Sequence, residues 1–458
     1  MNTSGDAALY EAPAKIYPRE VKGRFQNLRA IAVVALLGLY YVLPWIRWGG
    51  RQAILFDVPA RKFHLFGLTL WPQDLVYLTV LLITAALTLF FVTTMFGRVW
   101  CGYACPQTVW TEVFIWMERW TEGNRSKQMK LAAAPWSVEK IRRKATKQFL
   151  WVTFSLFTGF TFVGYFTPIA ELTGKVASIS LSGWEFFWIL FFSFATYGNA
   201  GFMREQVCKY MCPYARFQSA MFDRDTLIVA YDETRGEPRG GRRRSANPAE
   251  AGLGDCIDCK KCVQVCPTGI DIRQGLQYEC IACAACVDVC DQVMDNMGYQ
   301  PGLIRYATEN SVSGKPSHIA RPRVFVYGAL LLAVVSLTTF SLAARTPLLL
   351  DVIRDRNSLY RIVDGGRIEN VYSLRIMNMD NDAHTLTVEA RDSSGTMMAV
   401  QTEPAKITVD GGSIEAVAAR ISVPADVQPG GQDIQIRIYS TDGELSAEEP
   451  ARFMAPVP

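Results

Sequence analysis

Three features of the sequence predict a multi-domain chain: an α-helical membrane bundle of about five spans, an inserted bacterial two-cluster ferredoxin-like domain and a C-terminal all-β Ig-like sandwich. Five apolar runs are each close to the roughly 20 residues that cross a hydrocarbon core. Two copies of one four-cysteine spacing fall between the fourth and fifth runs. Beyond residue 346, apolar and polar residues alternate, and Asn, Asp and Gly clusters divide the alternating stretches.

The runs are 28–46, 75–96, 149–167, 184–203 and 324–344, with Trp or Tyr at several ends. Composition agrees with spans. Of 458 residues, 50% are hydrophobic and 20% charged, against about 25% charged in ordinary soluble domains. That balance argues against a disordered chain and a small secreted scaffold. No short apolar segment ending in a small-residue cleavage site marks a signal peptide. The 97–148 segment holds ten Lys and Arg, and 168–183 holds one, Lys175. The positive-inside rule therefore places the N-terminus, 97–148 and the segment after Met203 in the cytoplasm, and the C-terminus outside. The alternating stretch 62–71 is expected along the outer membrane interface.

Charge is divided along the chain. From residue 347 onward there are ten basic and seventeen acidic residues, whereas the whole chain carries +4. An acidic tail and a basic body suit different compartments. The basic run Arg239, Arg242, Arg243 and Arg244 suits anionic lipid better than nucleic acid. The order expected is a cytoplasmic segment at 1–27, a membrane domain at 28–222, a basic linker at 223–254, a ferredoxin-like domain at 255–300, a linker at 301–323, the last span at 324–344 and a sandwich at 345–458. The strands of the sandwich are read at 371–377, 385–390, 414–423 and 434–439.

Cysteine usage defines the chemistry. All twelve lie between Cys101 and Cys290, which is thiolate chemistry on a reducing side and not a disulfide framework. Cys256, Cys259, Cys262 and Cys266 follow the Cys-x2-Cys-x2-Cys-x3-Cys spacing, then Pro267; Cys280, Cys283, Cys286 and Cys290 repeat it. In two-cluster ferredoxins the fourth cysteine of each run ligates the other cluster. Cluster one is thus expected on Cys256, Cys259, Cys262 and Cys290, and cluster two on Cys280, Cys283, Cys286 and Cys266. Cys-x2-Cys also suits zinc, but eight cysteines in a doubled register suit two [4Fe-4S] clusters better. Asp291 stands where a second proline is usual.

The other four cysteines form an internal repeat. Cys101-Gly-Tyr-Ala-Cys105-Pro106 follows the second run, and Cys208-Lys-Tyr-Met-Cys212-Pro213 follows the fourth. Each proline suits the first turn of a following helix. Two such units related by pseudo-symmetry bring four thiolates together, and soft thiolates favour Cu(I), zinc or iron–sulfur centres. Structural cysteines and a dithiol–disulfide switch fit the same spacing.

Weaker candidates are Met95, Met203 and Met211 as soft ligands and His64 as an outer metal ligand or interfacial hydrogen-bonder. Glu112 and Glu118 read as solvated charges. His64, His318 and His384 all lie outside the apolar runs, so no bis-histidine haem is expected. No P-loop or Gly-x-Gly-x-x-Gly fingerprint points to a nucleotide.

Together, the Cys-x3-Cys-Pro repeats, the doubled cluster spacing, the fifth run and the Ig-like tail resemble the cytochrome c oxidase accessory protein family called CcoG, FixG or RdxA. The stretches 97–107 and 61–67 are especially similar to it. The resemblance implies a membrane-anchored cupric reductase that supports copper delivery to cbb-type cytochrome c oxidase. Copper would be the substrate at or near Cys101, Cys105, Cys208 and Cys212. Copper carriers or oxidase assembly proteins would be the partners, and the bacterial inner membrane the location, with the C-terminal domain periplasmic. The electron donor is either cytoplasmic or a quinol, and a homodimer is compatible. The Cys-x3-Cys-Pro pairs also resemble ferredoxin-type subunits that serve periplasmic nitrate reductase. That leaves a quinol-linked electron carrier, or a redox-sensing assembly scaffold, as alternatives.

Overall fold

The computed structural model describes residues 15–244, 252–355, 358–379, 382–424, 429–443 and 445–456. It falls into two compact units, Met1–Val335 and Ser336–Pro458. Of the expected N-terminal segment, residues 1–14 lie outside the described residues, as does 245–251 of the expected basic linker.

Among the described residues of the whole chain, four helices are long and apolar enough to cross a membrane: Arg24–Trp45, Pro72–Phe96, Gly183–Met203 and Pro322–Ala343. The run 149–167 lies in the helix Val138–Val163 and leaves it at Val163. Hydroxyls lower the apolar character of that run. Ser155, Thr158 and Thr161 donate to carbonyls four residues earlier, at 2.7, 2.9 and 2.8 Å. Those bonds keep the hydroxyls satisfied inside a helix bundle.

Helix ends follow local chemistry. Ser182 and Glu185 form a reciprocal capping box at the start of Gly183–Thr196. Ser137 caps Val138–Val163 through the Lys140 amide. These two helices meet at Gly159, where an added Cβ would collide with the Ile189 carbonyl and the Ser193 hydroxyl. Small residues permit such close helix approach in membranes. Gly159→Leu is expected to destabilise the bundle by about 1–3 kcal/mol; a thermal unfolding midpoint equal to that of wild type in the same detergent would contradict the contact.

The segment 47–74 folds. Ile54–Asp57, Lys62–Leu65 and Leu68–Leu70 form a three-stranded antiparallel meander, so the stretch expected along the interface is a hairpin. The two expected linkers are also structured. Ile228–Tyr231 pairs antiparallel with Ile304–Ala307, and both strands join the apolar core around the cluster cysteines. The ferredoxin module therefore draws on 223–254 and 301–323. A four-residue strand with one partner carries too weak a periodic signal to find in sequence.

In the second unit, successive neighbours Ser446–Ala455, Gly430–Ser440, His384–Asp392, Met397–Glu403, Ile414–Val423, Arg367–Asn378 and Leu348–Arg354 pair antiparallel. Period-two alternation sends Leu374, Ile376, Ala419, Ile421, Ile436, Ile438 and Phe453 into one core. Asn370, itself buried, exchanges hydrogen bonds with the Met454 backbone at 2.8 and 2.9 Å, so its amide stays satisfied between strands.

Candidate redox site

The ferredoxin module is built from two similar loops. Lys261–Val265 follows Cys256 and Cys259, and Ala285–Met297 follows Cys280 and Cys283. In each loop the same two positions have positive φ: Asp258 and Lys260 at 50° and 53°, Ala282 and Ala284 at 52° and 56°. Left-handed backbone at non-glycine residues is costly and clusters at functional sites. It turns successive amides to one side, as anion-binding nests do.

Two separate cavities of ≈ 20 Å³ sit inside these loops. One is lined by Cys256, Cys259, Cys262 and Cys290, the set that spacing assigned to cluster one. The other is lined by Cys266, Cys280, Cys283 and Cys286, and also touches Cys262. Their remaining walls are largely apolar. Four thiols around each cavity suit a polynuclear cluster, so the residues fit two [4Fe-4S] groups. Asp291 has a local reason: it lies within Ala285–Met297, where a proline would break the helix. Its carboxylate accepts from the Gly302 amide at 2.7 Å.

The Cys-x3-Cys-Pro repeats have matching geometry. Cys101 lies in the short helix Val99–Tyr103, and Cys208 in the π-helical turn Val207–Met211. Cys105 and Cys212 are each the cap residue before a helix, Pro106–Glu122 and Pro213–Met221, with proline in the first turn. All four thiols are half-buried. They lie within electrostatic reach of one another: Cys208 feels Cys105, Cys101 and Cys212. Burial pushes the Cys101 thiol up to about 11 and Cys208 up to about 12, with the neighbouring cysteines adding to it. Burial also raises Cys105, against the amides of Gln107 and Thr108 that pull it down. Metal-free, Cys101, Cys105 and Cys208 hold their protons at neutral pH, and a soft metal must displace them.

Reciprocal contacts bring the two repeats together. Arg98, ahead of the first pair, donates to the Ala215 carbonyl in the helix after the second. Arg204, ahead of the second pair, reaches Glu118 in the helix after the first, at 2.9 Å. Gln107 donates to the carbonyls of Asn199 and Arg204 at 2.9 and 3.1 Å. The Cys101 thiol donates to Gln218 at 3.3 Å. A cavity of ≈ 40 Å³ opens at Cys208, lined also by Gln107, Thr108, Glu112, Arg204 and Glu205 and by Pro267, Thr268 and Ile281 of the ferredoxin module. It has room for more than one water molecule.

Glu112 and Glu118 are not solvated charges. Glu118 is 2% exposed and meets Lys15 at 2.6 Å, Arg204 at 2.9 Å and Lys147 at 3.5 Å. Despite burial, those cations hold its carboxyl down at about 2. Glu112 pairs with buried Arg29 at 2.6 Å. Glu122, also buried, meets Lys147 at 2.8 Å and Lys144 at 2.9 Å. Arg98, Arg204 and Gln218 are the site residues that sequence reasoning missed; the arginine shortly before each Cys pair was the available signal. His64 is a buried hydrogen-bonder, its Nδ1 3.1 Å from the Thr69 hydroxyl. Met211 is exposed.

Long apolar helices joined to a doubly cysteine-lined module define a membrane iron–sulfur electron-transfer protein. Known proteins agree. Residues 203–309 match the model of a 4Fe-4S dicluster domain, 78–127 that of a 4Fe-4S binding domain, and 338–456 that of the Ig-like fold at the C-terminus of FixG. The nitrogen fixation protein FixG of Rhizobium meliloti (strain 1021) is 38% identical, covering 87% of this chain and 86% of its own. Protein RdxB of Cereibacter sphaeroides is 39% identical, covering 88% and 87%, and its protein RdxA is 37% identical, covering 86% of each. The chain belongs to the FixG/RdxA family. It is a redox protein with two iron–sulfur clusters.

Proposed function

We propose that this chain is a cupric reductase that supplies Cu(I) for assembly of a cbb-type cytochrome c oxidase. The observation that carries the reading is that Cys101, Cys105, Cys208 and Cys212 lie within electrostatic reach of one another, with Cys208 lining a cavity that the ferredoxin module also lines. Cys256, Cys259, Cys262 and Cys290 would hold one cluster, and Cys266, Cys280, Cys283 and Cys286 the other. When bound, these groups supply single electrons. Each Cu(II) takes up one electron and becomes Cu(I). Soft thiolates bind Cu(I) more tightly than Cu(II), and that difference favours the reduction. The ≈ 40 Å³ cavity would admit the ion, and the Arg98 and Arg204 contacts hold the two thiol pairs in register.

In this reading the helix Val138–Val163 is a fifth span beside the four apolar helices, and all five lie in a bacterial inner membrane. The N-terminus and ferredoxin module face the cytoplasm, by positive-inside charge, and the acidic sandwich faces the periplasm, where it would dock a copper carrier or assembly protein.

One observation favours a quinol-linked carrier instead. A cavity of ≈ 280 Å³ lies against Pro106 and Gln107, lined by Tyr40, Trp110, Phe162 and Phe192. Aromatic walls with a few polar groups suit a quinol head.

The test is anaerobic. Purified protein is reduced, Cu(II) is added, and cluster absorbance is followed alongside Cu(I) captured by a specific chelator. The comparison is the Cys101/Cys105/Cys208/Cys212→Ser variant with its clusters intact. The expected result is Cu(I) formation as wild type reoxidises, with at least a ~100-fold slower rate in the variant, the scale of losing a few kcal/mol of stabilisation. Equal rates would remove the four thiols as the site. Clusters that copper does not oxidise, but a quinone does, would support the second reading.

A further inference from the structure

The two Cys turns match in their thiols but not in what surrounds them. The residue after the first cysteine is Gly102 in one turn and Lys209 in the other. A Cβ at Gly102 would lie 2.7 Å from the Ile281 carbonyl oxygen and 2.9 and 3.0 Å from the Cα and amide nitrogen of Cys283. All three are backbone atoms, so no side chain can swing aside. The next residue is tyrosine in both turns. The Tyr103 hydroxyl lies 3.4 Å from that of Tyr306, which itself donates to the Ala282 carbonyl. Its counterpart Tyr210 is 68% exposed.

Two more contacts close on the same loop. Arg98 donates to the Tyr278 carbonyl, two residues before Cys280. Cys101 packs against the apolar cluster that contains Ile281 and Cys283. In the other loop Cys256 and Cys262 are buried, but Asp258, Cys259 and Lys260 are exposed, and Cys259 is the exposed member of the twelve cysteines.

We propose that the turn 98–103 is a seat for the 280–286 half of the ferredoxin module, with Gly102 and Arg98 as its positioning residues. This half is held against the thiol site, and the 256–262 half faces away. The internal repeat is thus symmetric in ligands and asymmetric in docking. Glycine stands after the first cysteine because the cluster loop occupies the space of a side chain; lysine is allowed after Cys208. The inference deepens the reading of the four thiols as the site, but its test uses no copper, so the two can fail separately.

The experiment takes the full-length, cluster-loaded protein in detergent. Redox titration followed by electron paramagnetic resonance compares wild type with Arg98→Gln, Arg98→Lys and Cys259→Ser. Removing the guanidinium charge disfavours the reduced, more negative form of the nearer cluster. Arg98→Gln is expected to lower one midpoint and leave the other, the unmoved one being that which Cys259→Ser perturbs. Arg98→Lys keeps the charge and restores the lowered midpoint. In parallel, alkylation of Cys101 is read by peptide mass spectrometry. Gly102→Ala is expected to raise its rate several-fold, and Lys209→Ala to leave it unchanged. Equal shifts of both midpoints, a shift confined to the Cys259-linked one, or equal Cys101 labelling in Gly102→Ala and wild type would each overturn the seat. If Arg98→Gln does not assemble its clusters, the labelling comparison decides alone.

Discussion

Replacing Glu118 by glutamine is expected to destabilise the membrane unit by about 3–5 kcal/mol, the usual effect of removing one partner from a buried ion pair. Glu118 is nearly fully buried and meets three cations at 2.6, 2.9 and 3.5 Å. Two of them, Lys147 and Arg204, are buried as well. A neutral amide would leave Arg204 without the charge that ties the segment before the second Cys turn to the helix Pro106–Glu122. Loss of cluster absorbance on heating in detergent reports the midpoint, which should fall by several degrees.

The pH sign follows from the same carboxyl. Its folded value is about 2, against an ordinary 4.5. The unfolded chain therefore takes up a proton first as pH falls, and acid removes the stabilisation. It is complete above about 4.5 and is lost progressively as pH falls through about 2. The glutamine variant should lack that part of the acid dependence. Identical acid-unfolding profiles for the two proteins would refute the assignment.

The second large effect belongs to Cys286→Ser. Cys286 lines the cavity shared with Cys266, Cys280 and Cys283 and packs against both apolar clusters of the module. Burial pushes its thiol well above the ordinary range, so it gives up its proton only to a metal that bonds strongly. Serine offers a harder oxygen that deprotonates less readily. The expected result is loss of one cluster, with iron falling from about eight to about four atoms per chain, since each group holds four. Iron and sulfide analysis measures it. Retention of about eight iron atoms with unchanged resonance signals would remove Cys286 from the ligand set.

Much of this protein was legible in its residues. The doubled cysteine spacing named the cluster loops, because ligand spacing is a local property set by the reach of a few residues. Pro106 and Pro213 marked the starts of two helices for the same local reason. Alternation marked the strands Arg367–Asn378, His384–Asp392, Ile414–Val423 and Gly430–Ser440, because a half-buried strand repeats every two residues. The pairing of Ile228–Tyr231 with Ile304–Ala307 was not legible, since its partners are far apart in the chain and each is only four residues long.

Which thiols exist, and how each group of them is spaced, can be read along the chain. What those groups face is set by contacts between distant segments. Glu118 looked like a surface charge until Lys15, Lys147 and Arg204 arrived from distant segments to neutralise it. Gly102 looked like one more permissive turn residue until the backbone of Ile281 and Cys283 filled the place of its side chain. Both facts are long-range contacts. Local spacing carries no record of a partner tens of residues or more away in the chain, and such partners meet only when the folded interior packs.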